Sequence, residues 1–161
     1  MAPTHSAESS GDRALMEQAL ALARQAGALG EIPVGALAVR EGLVIGRGYN
    51  RREMDRNPLA HAELIALRQA ASHLGAWRLA NVVLYVTLEP CAMCAGAMVQ
   101  GRIARLVYGA DDPKMGAAGS LYNLVDEARH NHRLAVTRGV LADECSKLMV
   151  DFFRELRVKG G

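Results

Sequence analysis

Two short stretches of this 161-residue chain carry residue types that can do chemistry. One is His61-Ala62-Glu63 and the other is Pro90-Cys91-Ala92-Met93-Cys94. An imidazole and two thiols make three ligands of the kind zinc prefers. A structural zinc site is normally closed by four, so three leave one position for water, as in catalytic zinc. Glu63, two residues beyond His61, is the candidate proton carrier beside that water. Cys-x-x-Cys by itself also occurs in redox and structural sites, but a redox dithiol would leave the paired His-x-Glu unexplained. Cys145, the third cysteine, falls on the apolar face of the last helical pattern and reads as a core residue.

The elements that must position these residues follow from periodicity and punctuation. Apolar spacing predicts a helix over 12–29, closed by Gly27, Gly30 and Pro33. Strands at 34–39 and 43–49 flank Glu41-Gly42 and form a hairpin. Gly46 and Gly48 in the second strand would admit a ligand or another backbone. A helix over 61–73 places His61 and Glu63 in its first turn, where a carboxylate is favoured. The unbroken apolar run 82–88 suits a central strand buried on both faces. A helix over 91–99 follows, with Cys91 and Cys94 on one face, where the helix start favours thiolates. A strand at 103–108 completes a βαβ unit. Residues 109–120 read as a loop with little local order, 121–126 as one helical turn, and 130–133 as a polar loop. A short strand is expected at 134–137. The last helix, 142–158, carries Cys145, Leu148, Met149, Phe152 and Leu156 on one face. The Ser-rich residues 1–11 read as a disordered tail and 12–161 as a single domain.

Composition narrows the class. Hydrophobic residues at 50% and charged residues at 22% are ordinary for a globular chain, and aromatics at 4% leave an aliphatic core. No apolar run is long enough to span a bilayer, the N-terminus lacks a signal-peptide pattern, and three cysteines form no disulfide framework. A cytoplasmic protein is expected. The net charge of +2 permits an RNA partner without demanding one. Arg47, Arg51, Arg52 and Arg56 crowd the stretch before His61, and arginine suits phosphate contacts, although a solvated loop fits the same residues. Asn50 follows a strand and by residue type is a turn former.

Together, H-x-E and P-C-x-x-C are the signature of the zinc nucleobase deaminases. Over about residues 12–157 the chain resembles the bacterial tRNA-specific adenosine deaminases (TadA type) of the cytidine deaminase-like superfamily. The likeness extends through IPVGA (32–36), AHAELIALRQA (60–70), TLEPCAMCAGAM (87–98), GAAGSLYN (116–123), NHR (131–133), LADEC (141–145) and DFFR (151–154). It implies an α/β fold, a three-layer α/β/α sandwich around a five-stranded mixed sheet. It also implies a homodimer whose tRNA sites draw on both subunits. His61, Cys91 and Cys94 match the family's Zn2+ ligands and Glu63 its proton shuttle. Asn50 matches a residue that contacts the target nucleoside, Asp112 one that contacts the anticodon backbone, and Phe152 and Phe153 aromatics near the bound loop. Arg51 and Arg52 are the expected phosphate contacts. Asp111 departs from the pattern, standing where the best-known relatives carry a basic residue. The implied reaction is attack of a zinc-activated hydroxide on C6 of the wobble adenosine in an anticodon stem-loop, in an arginine tRNA, giving inosine. A deaminase of free cytosine or guanine would use the same site. A zinc-stabilised RNA-binding module would have no use for Glu63.

Overall fold

The computed structural model describes residues 6–160. Alternation along the strands decides the layering. In β1 (Gly35–Arg40) Ala36 and Ala38 join one apolar cluster while Leu37 and Val39 join another. In β3 (Val82–Leu88) Leu84 and Val86 point to the first cluster and Tyr85 to the second. That period of two, apolar on both faces, requires helices on both sides of the sheet. α2 (Ala62–Leu74) and α3 (Ala92–Gln100) cover one face, and α1 (Asp12–Ala28) and α4 (Ala142–Gly160) the other. The sheet is five-stranded, in the order β2-β1-β3-β4-β5, with β2 at Leu43–Tyr49, β4 at Arg105–Ala110 and β5 at Ala135–Thr137. β1 runs antiparallel to both β2 and β3, whereas β3, β4 and β5 are parallel. This is the three-layer α/β/α sandwich with a five-stranded mixed sheet that the family resemblance implies.

Small residues bring α2 onto β2. A Cβ at Gly46 would overlap Ala66 O, and one at Gly48 would overlap Ala62 O. The glycines therefore admit a backbone, the helix that carries Glu63.

Several expectations change. β4 begins two residues later than expected, because Ile103 is fully buried in the α2/α3 cluster and its N–H closes onto Met98 O (3.3 Å). Residues 121–126 form no helical turn. Ala118 and Asn123 pair as a β-bridge, and the Gly119 N–H donates to Tyr122 O (2.8 Å), a tight reversal with Gly119 at φ 137°. Residues 109–120 are far from unordered, for reasons given below. Within the tail expected over 1–11, the Ser6 N–H donates to Val136 O (2.8 Å) on β5. Residues 1–5 lie outside the described residues. α4 buries Cys145, but its far end runs clear of the sheet, leaving Leu156 at 52% exposure. No described helix is long and apolar enough to cross a membrane.

Candidate active site

The parallel β3–α3–β4 unit and the β2–α2 connection bring two helix starts together. His61 and Cys91 are the capping residues of α2 and α3, each with extended backbone, and Glu63 and Cys94 sit in the first turns. The helices thus begin one residue later than the sequence suggests, which puts one ligand-type side chain on each cap. Both N-termini direct unsatisfied N–H groups and partial positive charge at the same spot, where thiolates are favoured.

His61 Nδ1 lies 3.7 Å from Cys91 Sγ and 3.5 Å from Cys94 Sγ. A tetrahedral zinc with Zn–S of about 2.3 Å and Zn–N of about 2.0–2.1 Å separates such ligands by roughly 3.5–3.6 Å. The two imidazole–sulfur separations therefore match edges of a zinc tetrahedron, and these three residues could hold a metal ion. The two thiols are shifted in opposite directions. The hydrogen bond from Cys94, with help from His61, brings the Cys91 thiol down to about 4 against the opposing effect of burial. The same bond, together with burial, pushes the Cys94 thiol up. A metal ion would displace the thiol proton.

Glu63 is buried at 4% exposure. Burial raises its carboxyl to about 7, since its own backbone N–H, His61 and the Cys94 thiol offset only part of the desolvation, and the Cys91 thiolate adds to the rise.

These groups lie in a cavity of about 910 Å³, lined by His61, Glu63, Cys91, Asn50 and Arg52, by the 110–115 segment, and by one face of α4. Cys94 is fully buried and does not line it. Asn50 is buried and oriented: its Nδ2 donates to Ile32 O (3.1 Å) and its Oδ1 accepts from the Arg52 N–H (3.1 Å). Asn50 thus braces the turn that begins at Arg52 and lines the cavity. Asp112 lines the cavity while its Oδ1 accepts from the N–H groups of Lys114 (3.1 Å) and Met115 (3.2 Å).

Of the two phenylalanines, Phe153 lines the cavity and Phe152 does not. They meet edge to face at 5.5 Å. Of the two arginines, Arg52 lines it, whereas Arg51 is turned away. The Arg51 guanidinium is held by Asp55 (3.1 Å) and Tyr49 Oη (2.7 Å) and lies over the Tyr49 ring. Arg47 and Arg56 are not among the lining residues, and Arg47 belongs to β2. Asp111 lines the cavity and accepts from Tyr108 Oη (3.2 Å).

Cys145 stays apart, under Gly109, where a Cβ would overlap its Sγ, and burial pushes its thiol up to about 12. His132 is engaged through Nε2 with Ile103 O (2.7 Å).

Two residues that shape the site carry no sequence signal. Glu31, 1% exposed, accepts the N–H groups of Glu53 (3.1 Å) and Met54 (2.7 Å) and so anchors the arginine-rich loop. Lys114 lines the cavity from a segment with no periodicity.

Comparison with known proteins matches this assembly. The family model of the MafB19-like deaminases covers residues 10–157. The tRNA-specific adenosine deaminase of Haemophilus influenzae is 52% identical over 147 residues, which is 91% of this chain and 85% of that protein. A structure from a study of A-to-I editing by tRNA:A34 deaminases at the wobble position of transfer RNA superposes with a TM-score of 0.81. It is 43% identical and covers 84% of this chain and 98% of its own. The guanine deaminase of Nitrosomonas europaea shares the fold at a TM-score of 0.76, with 27% identity over 87% of this chain and 83% of its own. With the sequence motifs, the sheet order and the converging helix starts all in agreement, this chain belongs to the MafB19-like deaminases and, among them, to the tRNA-specific adenosine deaminases.

Proposed function

We propose that this protein hydrolytically deaminates adenosine to inosine at the wobble position of a tRNA anticodon, with zinc held by His61, Cys91 and Cys94 and protons carried by Glu63. The observation that carries this reading is the meeting of His61 Nδ1 with both sulfurs at 3.5 and 3.7 Å, beside buried Glu63, at the base of a nucleotide-sized cavity. Zinc, when bound, supplies a Lewis acid that makes water nucleophilic near neutral pH. One neutral imidazole and two thiolates balance its charge, so Glu63 faces no large net field.

The chain's own residues do the rest. Water adds at C6 of the adenine and ammonia leaves. Glu63 takes one proton from the water and delivers it to ring N1, then takes the second from the new C6 hydroxyl and gives it to the departing amine, which leaves the C6 carbonyl of inosine. Asn50, fixed by Ile32 O and the Arg52 N–H, retains one amide hydrogen and a lone pair for the nucleoside. Phe153 offers a ring to a base beside the target, and Arg52 and Lys114 offer charge to the backbone. Asp112 braces the loop that carries Lys114. Phe152 and Arg51 act from behind this surface. An unpaired anticodon base leaves its stack for a few kcal/mol, which favours a stem-loop over a duplex.

The H. influenzae relative is tRNA-specific, the sequence resemblance extends the reading to an arginine tRNA and a homodimer, and the cysteine content to a cytoplasmic setting. Met54, Leu59, Leu121 and Tyr122, exposed in a single chain, are apolar surface that a second copy would cover. The guanine deaminase neighbour supports a second reading, turnover of a free base. Incubating the protein with a transcribed tRNA bearing A at the wobble position, followed by sequencing for inosine, tests the first reading. Parallel incubations with free adenosine, guanine and cytosine test the second.

A further inference from the structure

Glu89 stands between the last residue of β3 and the Pro-Cys-x-x-Cys segment, 2% exposed. Its Oε1 accepts the Asp112 N–H (3.0 Å) and the Ser120 hydroxyl, and its Oε2 accepts the N–H groups of Ala118 (3.0 Å) and Ser120 (3.0 Å). A carboxylate offers about four lone-pair sites, and here all of them are taken.

Every donor lies in one segment, residues 112–120, which closes one side of the cavity with Asp112, Lys114 and Met115. The segment is shaped around the carboxylate. A Cβ at Gly116 would overlap Glu89 Cδ, and the Gly116 N–H closes back onto Asp112 O (2.8 Å). The Ala117 N–H also reaches Pro90 O (2.8 Å), directly before Cys91. A single buried side chain thus ties a cavity wall to the strand end that leads into Cys91 and Cys94.

We propose that Glu89 is a positioning residue for substrate. It locks the 112–120 wall in the conformation that receives the nucleic acid, and it takes no part in proton transfer because no acceptor site on it is free. The inference rests on the deaminase reading above. It explains why a segment without helical or strand periodicity is ordered, and it assigns Ser120 and Gly116 to the same device.

Glu89→Gln tests it sharply. The amide keeps the shape but replaces one acceptor oxygen with a donor, so an N–H group would face two other donors. Unpaired buried donors of this kind are worth on the order of a tenfold effect each. Ser120→Ala is the mild variant, removing only the hydroxyl. For both variants, KM and kcat on an anticodon stem-loop with A at the wobble position would be measured with metal content, alongside amide hydrogen exchange across 112–120 and 82–88. Glu89→Gln should raise KM roughly 10- to 100-fold, change kcat less, keep the metal, and lose protection in 112–120 alone. Ser120→Ala should move the same readouts severalfold.

Parent-like KM and exchange in a folded Glu89→Gln would overturn the proposal. So would a fall in kcat with KM and exchange unchanged, which would put Glu89 in the chemistry. Should Glu89→Gln fail to fold, Ser120→Ala decides, and unchanged KM and exchange there refute the role. If the parent edits no stem-loop, the deaminase reading has failed, and exchange in 112–120 still decides whether Glu89 holds the wall.

Discussion

Asp12 and Glu63 are the same feature in two places, a carboxylate in the first turn of a helix packed on the central sheet. Both are buried, at 0% and 4% exposure. Asp12 sits at the start of α1 on one face of the sheet and Glu63 at the start of α2 on the other. Burial pushes both carboxyls up, yet Asp12 is held at about 2 and Glu63 rises to about 7. The difference lies in the donors. Asp12 accepts from Arg105 Nη1 (3.0 Å) and Nη2 (2.5 Å), from Tyr85 Oη (2.8 Å) and from the Ser9 N–H (2.7 Å). Glu63 has little beyond its own N–H, His61 and a thiol. A buried acid that is fully met by donors becomes a clasp, here joining α1, β3, β4 and the segment before α1. One left short of donors stays able to exchange a proton near neutral pH.

The largest effect should come from removing the residues that could hold a metal beside Glu63. His61→Ala or Cys91→Ser should lose bound metal and all deamination, as metal analysis and an inosine assay would show. The Asp12 clasp should be untouched. Full metal content in either variant would mean that the ligands lie elsewhere.

Next in size, Arg105→Met would turn Asp12 into a carboxylate as short of donors as Glu63. Breaking a buried pair in this way should cost on the order of 3 kcal/mol in urea unfolding at pH 7. The sign of its pH dependence follows from the depressed carboxyl. The contribution of Asp12 is full above its unfolded value of 3.8 and disappears as pH falls toward about 2. The parent should therefore lose stability through that window and Arg105→Met should lose less. Identical acid limbs would show that the clasp does not depend on Asp12's charge.

Smaller again is the contribution of Arg52. It lines the cavity, whereas Arg51 is committed to Asp55 and Tyr49. Arg52→Gln should flatten the salt dependence of stem-loop affinity by a slope of about 0.7 for one lost phosphate contact, and Arg51→Gln by less. The reverse order would move the phosphate path to the outside of the loop. Smallest of all, Cys145→Ser should keep its metal and cost about 1 kcal/mol of stability. Loss of metal there would undo the division of the three cysteines.

The placement of Glu63 beside His61 and the two cysteines was legible in the sequence, and the donor cluster around Asp12 was not. Glu63 belongs to a local pattern with His61, whose partner pattern at Cys91 and Cys94 announces a metal. Asp12 reads only as the start of a helix, because Arg105 and Tyr85 reach it from strands far away along the chain. The same holds for Glu31 and Glu89, whose acceptor roles depend on backbone N–H groups that no residue identity encodes. Strand and helix positions followed from apolar periodicity almost residue for residue in β2 and β3. They slipped at Ile103, where burial in the core outweighed strand propensity. Order in 109–120 was invisible because it comes from the buried Glu89 carboxylate and from backbone contacts distant in sequence, not from a repeat. Of the expected RNA-facing residues, Asn50, Arg52, Asp112 and Phe153 line the cavity. Phe152 and Arg51 were indistinguishable from their neighbours in sequence, since only helix rotation and local ion pairing set them apart.

The most direct test of the contrast between Glu63 and Asp12 is the single-turnover rate of inosine formation in a wobble-A stem-loop by Glu63→Ala, with metal and bound RNA measured in the same sample. The expected result is full metal, parent-like RNA binding and a rate reduced by about 10²–10⁴-fold. A metal-loaded, RNA-bound Glu63→Ala that forms inosine at nearly the parent rate would contradict it.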